Sequence, residues 1–393
     1  MVDKNEHNNL KVDFFIIDNT PIGGVERVTC SLINLFLEKG IMVDHVISMH
    51  NKFDKPHFPY PETINYVNLN CSSKDLEDKL YQQFIALDIK NLIFQGDNMS
   101  ISIALLKAAK RAGVKAIPQY HGSPHAYLDK YISASEMFEN PYLALKYLFA
   151  SSVRPFKLLK LKKYLLLAEN GIACVSYGSA NEIKKIFKSS QVINERVFTI
   201  YNPLHIKLQD ITTDVNQKSN NIVYLSRLEN KHKNSFLVVK AWNEIAHKYP
   251  NWQLDILGDG AISDKMKSYV DEKNITNVVF HGMITEIAPY LSKSKIAILT
   301  SNCEGLGMGI LESICYKNAV VCTNSDGGIT DLVKHEKSGL IVHRNDHKAF
   351  AKSMEKLMND DQLRIEYANE SYKIASNFSD DEIIEQWRKR FEL

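Results

Sequence analysis

Apolar side chains fall in short unbroken runs through the first half of the chain: VDFFIID from Val12, VDHVIS from Val43, NLIFQGD from Asn91, KAIPQYHG from Lys115, GIACVS from Gly171 and VFTIYNP from Val197. Runs that are apolar almost throughout suit strands covered on both faces, and the segments between them, one starting near Gly24, are long enough for crossover helices. Val12 to Pro203 therefore reads as an α/β domain.

From Leu204 to Asn220 the stretch LHIKLQDITTDVNQKSN is polar and without periodicity, which predicts a linker. The alternation then restarts with NIVYLSR, a helical segment to Lys248, WQLDILGDG, VVFHGM, KIAILTS, AVVCTNS and GLIV. The expected organisation is a first Rossmann-like domain over 1–205 and a second over 206–377, each a doubly wound parallel sheet, the two facing a cleft. SDDEIIEQWRKRF, acidic at its start and apolar at helical spacing, predicts a capped terminal helix over about 378–393 that packs back on the first domain. In such sheets ligands bind beyond the carboxyl ends of the strands. The residues to inspect are then Gly23 and Gly24, His121, Arg227, Gly258 and Gly260, Gly282, and Glu304.

With 393 residues the chain exceeds one ordinary core, in keeping with two domains. A net charge of +2 argues against a dedicated nucleic-acid binder, so partners must be sought in local patches. The six cysteines are scattered without metal-ligand spacing, which fits free thiols in a reducing compartment. MVDKNEHNNL lacks the order of a signal peptide, and no apolar run approaches the roughly 18 residues that span a bilayer. The expected location is the cytoplasm.

EGLGMGILES, from Glu304 to Ser313, places glycines 305, 307 and 309 between a strand and a helical pattern. Such glycines let the backbone approach a ligand, and a helix start presents N–H groups to phosphate or sugar oxygens. Glu304 and Glu312 could then accept hydrogen bonds from different hydroxyls of one extended ligand. The alternative is a tight turn whose glutamates point into water. A dinucleotide fingerprint is disfavoured, because GxGxG departs from GxGxxG and no acid closes the next strand, AVVCTNS.

The spacing of Glu304 and Glu312 resembles the E-x7-E signature of retaining glycosyltransferase family 4, which has the GT-B fold. Other marks follow in the family's order: GGVER from Gly23, YHG from Tyr120, YNP from Tyr201, SRL with a downstream lysine, LGDG from Leu257, FHGM from Phe280, and Gly327–Gly328. The resemblance covers nearly the whole chain. It implies that Arg227 and a lysine bind the diphosphate of a nucleotide sugar and stabilise it as it leaves. Lys231 and Lys233 both qualify, and counting back from Ala241 favours Lys233. Glu312 would accept from ribose hydroxyls and Glu304 would hold the transferred sugar. Main chain from Leu306 through Gly307 and Met308 to Gly309 would bind sugar and phosphates, with Gly258 nearby and Met283 beside the base. Gly23 and Gly24 would bring main-chain amides to the diphosphate from the first domain, and His121 would lie near the donor sugar.

The reaction so implied is transfer with retained configuration, from what is expected to be a UDP-sugar to a glycan or lipid-linked acceptor of lipopolysaccharide or capsule. No metal or other cofactor is expected, since no DxD triplet occurs. Two carboxylates about 5 Å apart would do nucleophilic work in a retaining glycosidase, but the resemblance assigns Glu304 and Glu312 to donor recognition. Catalytic weight then falls on Glu304, His121, Arg227 and Lys233. The chain departs from the family at Lys317, Asn318 and Ala319, where G-x-P is usual, and at Asp331, where glutamate is usual. A GT-B nucleotide-sugar epimerase and a catalytically silent homologue acting as a binding or regulatory subunit are the alternatives.

The segment 141–168 carries Lys146, Arg154, Lys157, Lys160, Lys162 and Lys163 among leucines and aromatics, with no acid before its end. That composition suits a helix on the anionic surface of the inner membrane. It equally suits a core helix with Leu158, Leu159, Leu161, Leu165 and Leu166 turned inward and its lysines in water.

Overall fold

The continuous apolar runs are parallel strands, gathered in one sheet in each half of the chain. The computed structural model describes residues 10–18, 23–50, 58–128, 152–204, 206, 208–211, 213–376 and 378–392. The chain divides into two units: Met1–Gly122 with Val153–His205 and Phe378–Leu393, and Ser123–Ser152 with Ile206–Asn377.

In the first unit β1 (Asp13–Asp18), β2 (His45–His50), β3 (Asn65–Asn68), β4 (Asn91–Gln95), β5 (Lys115–Tyr120), β6 (Ile172–Cys174) and β7 (Val197–Thr199) form a sheet in the order β3-β2-β1-β4-β5-β6-β7. The chain moves outward from β1 to β3 and then returns to the other side of β1, so the order reverses between β1 and β4. β1 and β4, at the centre, are buried on both faces for most of their length, as their unbroken Phe and Ile content requires. The edge strand β3 was not legible as a strand, because NYVN is half exposed and carries no apolar run.

One face is covered by helix Gly24–Glu38, which buries Val28, Leu32, Ile33, Leu35 and Phe36. Helix Asp380–Phe391 adds Ile383, Ile384, Trp387 and Phe391 to the same core, with Trp387 edge-on to Phe36 at 6.4 Å. The local sequence starts and orients this last helix. Ser379 accepts from the Glu382 N–H, three acids occupy the first turn, and Arg388, Lys389 and Arg390 the last, each complementing the helix dipole.

The second unit holds β8 (Ser219–Leu225), β9 (Gln253–Leu257), β10 (Val278–Gly282), β11 (Ser294–Leu299), β13 (Ala319–Thr323) and β15 (Leu340–Val342), in the order β10-β9-β8-β11-β13-β15. Here the order reverses between β8 and β11. Outside this sheet, β12 (Cys303–Glu304) pairs in parallel with β14 (Asp326–Gly327), putting Glu304 opposite Gly327. Trp242, Phe350 and Met354 are fully buried in its core, on helices Phe236–Ile245 and His347–Asn359.

The departure at 317–319 has a local account. Lys317 adopts φ +52°, a left-handed conformation that glycine takes without strain and lysine at a cost of about 1 kcal/mol. Beside it, the buried Asn318 donates to the carbonyls of Leu291 (3.0 Å) and Ser294, and the Lys218 ammonium donates to the same two at 3.1 and 2.8 Å.

Candidate functional site

At the reversal point of the second sheet, the segments after β8 and β11 are drawn together. Arg227 follows β8, and three glycines press on the main chain around it. A Cβ at Gly258 would lie 2.0 Å from the Ser226 carbonyl oxygen, one at Gly260 2.4 Å from that of Leu228, and one at Gly309 3.1 Å from that of Leu225. The close fit comes from backbone pairing: Ser226 N donates to Leu257 O at 3.0 Å and Leu228 N to Asp259 O at 2.9 Å. Gly258 also has φ +130°. Its glycine is thus demanded by packing against Ser226. Gly258→Ala is expected to cost roughly 3 kcal/mol in urea unfolding. Gly24→Ala, where nothing lies within 4 Å of the added Cβ, should stay under about 1 kcal/mol. Equal stability of the two variants would refute this account of Gly258.

The two candidate lysines have different surroundings in the turn that follows. Lys231 is exposed, whereas the Lys233 ammonium lies 2.7 Å from Glu304 Oε1. The turn is strapped to the end of β11 by backbone contacts. Thr300 Oγ1 donates to Lys233 O at 3.0 Å, Asn302 N to His232 O at 2.7 Å, and Asn302 Nδ2 to Lys231 O at 3.1 Å. Ser235 Oγ, fully buried, shares its one proton between the carbonyls of Arg227 (3.3 Å) and Glu229 (3.1 Å), so the two cation-bearing segments share one anchor.

Glu304 is 9% exposed and receives a second hydrogen bond at Oε1, from Ser301 Oγ at 2.5 Å. Desolvation pushes the Lys233 ammonium down, but the charge and hydrogen bond of Glu304 outweigh it and hold the group above its ordinary value. Lys233 therefore keeps its charge at neutral pH. The Glu304 backbone is fixed by its pairing with β14, where Gly328 N donates to Glu304 O at 3.2 Å. Arg344 clamps that pairing from outside, with a fork onto Asp326 at 2.9 and 3.3 Å and a bond to Asn302 O at 3.0 Å.

Beyond Glu304 the glycines of EGLGMGILES have separate jobs. Gly307 takes φ +92° at the start of helix Met308–Cys315, which no side chain caps, and Gly309 allows that helix to abut β8. Leu306 is buried. Glu312 is 4% exposed, which excludes the alternative in which it simply points into water. Arg227 differs from all of these: its side chain is 69% exposed, with Glu229 3.5 Å away. Met283, after β10, is 54% exposed. Among the described residues no cluster of three or more His, Cys, Asp or Glu could hold a metal ion.

In the first unit the candidates likewise sit at the carboxyl ends of its strands. Gly23 immediately precedes the helix that begins at Gly24 and caps it with no side chain. His121 follows β5. Its main-chain N–H donates to Asp97 Oδ1 at 2.9 Å, and its ring Nε2 hydrogen-bonds Gln95 Oε1. Desolvation pushes the imidazole down to about 4, so it is neutral at neutral pH, and pushes the Asp97 carboxyl up to about 6. Asp97, Gln95, Ser301, Ser235 and the Asp326–Arg344 pair were missed from sequence. Asp97 and Gln95 lie in NLIFQGD at a strand end, the place where such residues should be sought.

Helix Arg154–Leu167 turns only part of its apolar set inward. Leu161, Tyr164 and Leu165 are buried, while Phe156, Leu159 and Leu166 are 73, 65 and 40% exposed beside the exposed Lys162 and Lys163. Residues 141–151 of that segment lie outside the described residues. Among the described residues no helix is long and apolar enough to cross a membrane.

Two Rossmann-like parallel sheets, of seven and six strands, define the GT-B fold. Residues 207–374 match the family model of glycosyl transferases group 1, and the family match and curated relatives together support a glycosyltransferase. An uncharacterized glycosyltransferase of Haemophilus influenzae is 23% identical over 386 residues, 96% of this chain and 99% of the relative. The "GalNAc-alpha-(1->4)-GalNAc-alpha-(1->3)-diNAcBac-PP-undecaprenol alpha-1,4-N-acetyl-D-galactosaminyltransferase" of Campylobacter jejuni is 29% identical over 224 residues, 55% of this chain and 61% of the relative. Among solved structures, a variant of S. aureus TarM in complex with Fondaparinux, alpha-GlcNAc-glycerol and UDP superimposes with a TM-score of 0.76 at 14% identity, covering 98% of this chain and 100% of that one.

Proposed function

We propose that this chain is a retaining, metal-independent glycosyltransferase that moves a sugar from a UDP-sugar to a glycan or lipid-linked acceptor of an envelope polysaccharide. The observation that carries this reading is the meeting of Arg227, the Lys233–Glu304 ion pair and the Gly307-led helix at the reversal point of one parallel sheet. A departing nucleoside diphosphate needs fixed positive charge. Arg227 has an exposed guanidinium to give, and Lys233 is held charged.

Glu304 is poorly suited to be a nucleophile. Its Oε1 is neutralised by Lys233 and bonded by Ser301, which suits holding a sugar hydroxyl through Oε2. Without an enzymic nucleophile, retention follows from same-face substitution. The bond from the anomeric carbon to the phosphate oxygen breaks, the acceptor oxygen bonds that carbon from the same side, and the acceptor's proton passes to the departing phosphate oxygen. Glu312 would take the ribose hydroxyls, and Gly24 and His121 are the first domain's candidates for diphosphate and sugar. UDP in the TarM complex and the undecaprenol diphosphate named for the Campylobacter relative support the donor and the acceptor class. A binding panel of UDP-, GDP- and ADP-sugars tests the donor, with Glu312→Ala expected to abolish binding. Selective binding of a GDP- or ADP-sugar would reject the UDP assignment.

The exposed face of helix Arg154–Leu167 is proposed to rest on anionic lipid at the cytoplasmic face of the membrane. Phe156 and Leu159 would enter the interface while Lys162 and Lys163 meet lipid phosphates. In sedimentation with phosphatidylglycerol vesicles, Phe156→Ser with Leu159→Ser should reduce binding about tenfold or more. Binding equal to wild type would remove this helix from the membrane reading.

A further inference from the structure

Behind His121, a row of buried amides crosses the carboxyl end of the first sheet. Gln95 ends β4 and Gln119 lies opposite it in the register of β5. Gln95 Nε2 donates to Gln119 Oε1 at 2.7 Å, and Gln119 Nε2 donates to Asn202 Oδ1 at 3.2 Å. Both glutamines are fully buried, and Asn202 is 3% exposed. The near end of the row is the bond between Gln95 Oε1 and the His121 ring.

We propose that Gln95, Gln119 and Asn202 act as a directional amide chain that fixes His121 as the Nε2–H tautomer and leaves Nδ1 as a hydrogen-bond acceptor. Each primary amide has one accepting and one donating end. In a buried row, reversing one glutamine would set donor against donor on one side and acceptor against acceptor on the other, and reversing Asn202 would set donor against donor at Gln119, at about 1–3 kcal/mol for each unmade bond. The three amides therefore orient as a unit.

In the direction observed, Gln95 offers its oxygen to His121 Nε2, so that nitrogen carries the proton. The reversed row would offer Gln95 N–H and force the proton onto Nδ1. The His121 main chain is held independently, because His121 N donates to Asp97 and a Cβ on Gly122 would come within 3.0 Å of Asp97 Oδ2. Asp97 thus holds the main chain that carries the imidazole, and the amide row fixes what the ring presents. A neutral ring with Nδ1 bare accepts from a hydroxyl and donates nothing at that atom. Gln95, Gln119 and Asn202 are positioning residues for this recognition, and its use on a sugar hydroxyl rests on the transferase reading above.

Two-bond 1H–15N correlation of histidine-labelled full-length protein at neutral pH reads the tautomer directly. For His121 the expected pattern is Nε2–H in wild type and in Gln119→Glu, whose carboxylate still accepts from Gln95. In Gln95→Leu and Gln119→Leu the two nitrogen shifts should move toward each other as the tautomers average. Transfer measured on the same samples should drop about tenfold in kcat/KM for Gln119→Leu, the effect of one hydrogen bond, and recover in Gln119→Glu. An Nδ1–H or averaged pattern in wild type, or an unchanged pattern in Gln95→Leu, overturns the inference. Should the leucine variants not fold, wild type and Gln119→Glu still decide it. A pure Nε2–H pattern in a protein that transfers no sugar would instead fault the transferase reading and leave the amide chain standing.

Discussion

Arg227→Ala is expected to lower sugar transfer by about 10²–10³-fold while leaving thermal unfolding unchanged. The guanidinium is 69% exposed and its contact with Glu229 is long, at 3.5 Å, so folding draws little from it. Its main chain, by contrast, is enclosed by Gly258, Gly260 and Ser235, which aim an exposed charge from a rigid base. A side chain that folding barely uses yet the backbone holds firmly is what ligand charge recognition requires. Isothermal titration with UDP should show the loss in the diphosphate-bearing nucleotide and none in uridine. Wild-type transfer by this variant would remove Arg227 from the site.

Glu304→Ala should act on both stability and activity. It leaves the Lys233 ammonium partly buried without its partner, which costs about 3–5 kcal/mol, and it removes the proposed sugar contact, so transfer should fall at least about 10³-fold. A second variant separates the two effects. Lys233→Met with Glu304→Leu removes both charges, and unfolding in urea should return to within about 2 kcal/mol of wild type while transfer stays lost. If transfer returned with stability, the pair would be a fold element alone.

The two sheets were legible because both are parallel and doubly covered. Burial on both faces leaves no choice but unbroken apolar runs such as NLIF and KIAIL, and each of the twelve runs read as strands is one. Strands that carry no apolar run were not legible. β3 is a half-exposed edge, and β12 and β14 are two-residue strands, Cys-Glu and Asp-Gly. That small pair fixes the Glu304 main chain, so the sequence marks the carboxylate and hides the frame that holds it.

Counting back from Ala241 favours Lys233, but the meeting of its ammonium with Glu304 was hidden for a similar reason. It depends on Thr300 and Asn302, distant in sequence, drawing the turn against β11. Gly258 shows the converse, a glycine read from sequence as ligand-facing whose conformation and contacts already account for it by packing. His121 was visible in YHG, whereas the amides behind it were not, because a glutamine inside an apolar strand gives no sign of which neighbour it will meet.

The central claim is retention through fixed positive charge without a metal, and the anomer first released tests it without knowledge of the acceptor. An α-linked UDP-sugar would be incubated with the protein and excess chelator, and the sugar slowly hydrolysed would be followed by 1H NMR before mutarotation. The α-anomer and UDP are expected to appear together in wild type, and neither with Arg227→Ala. Release of the β-anomer first, or hydrolysis only after a divalent cation is added, would contradict it.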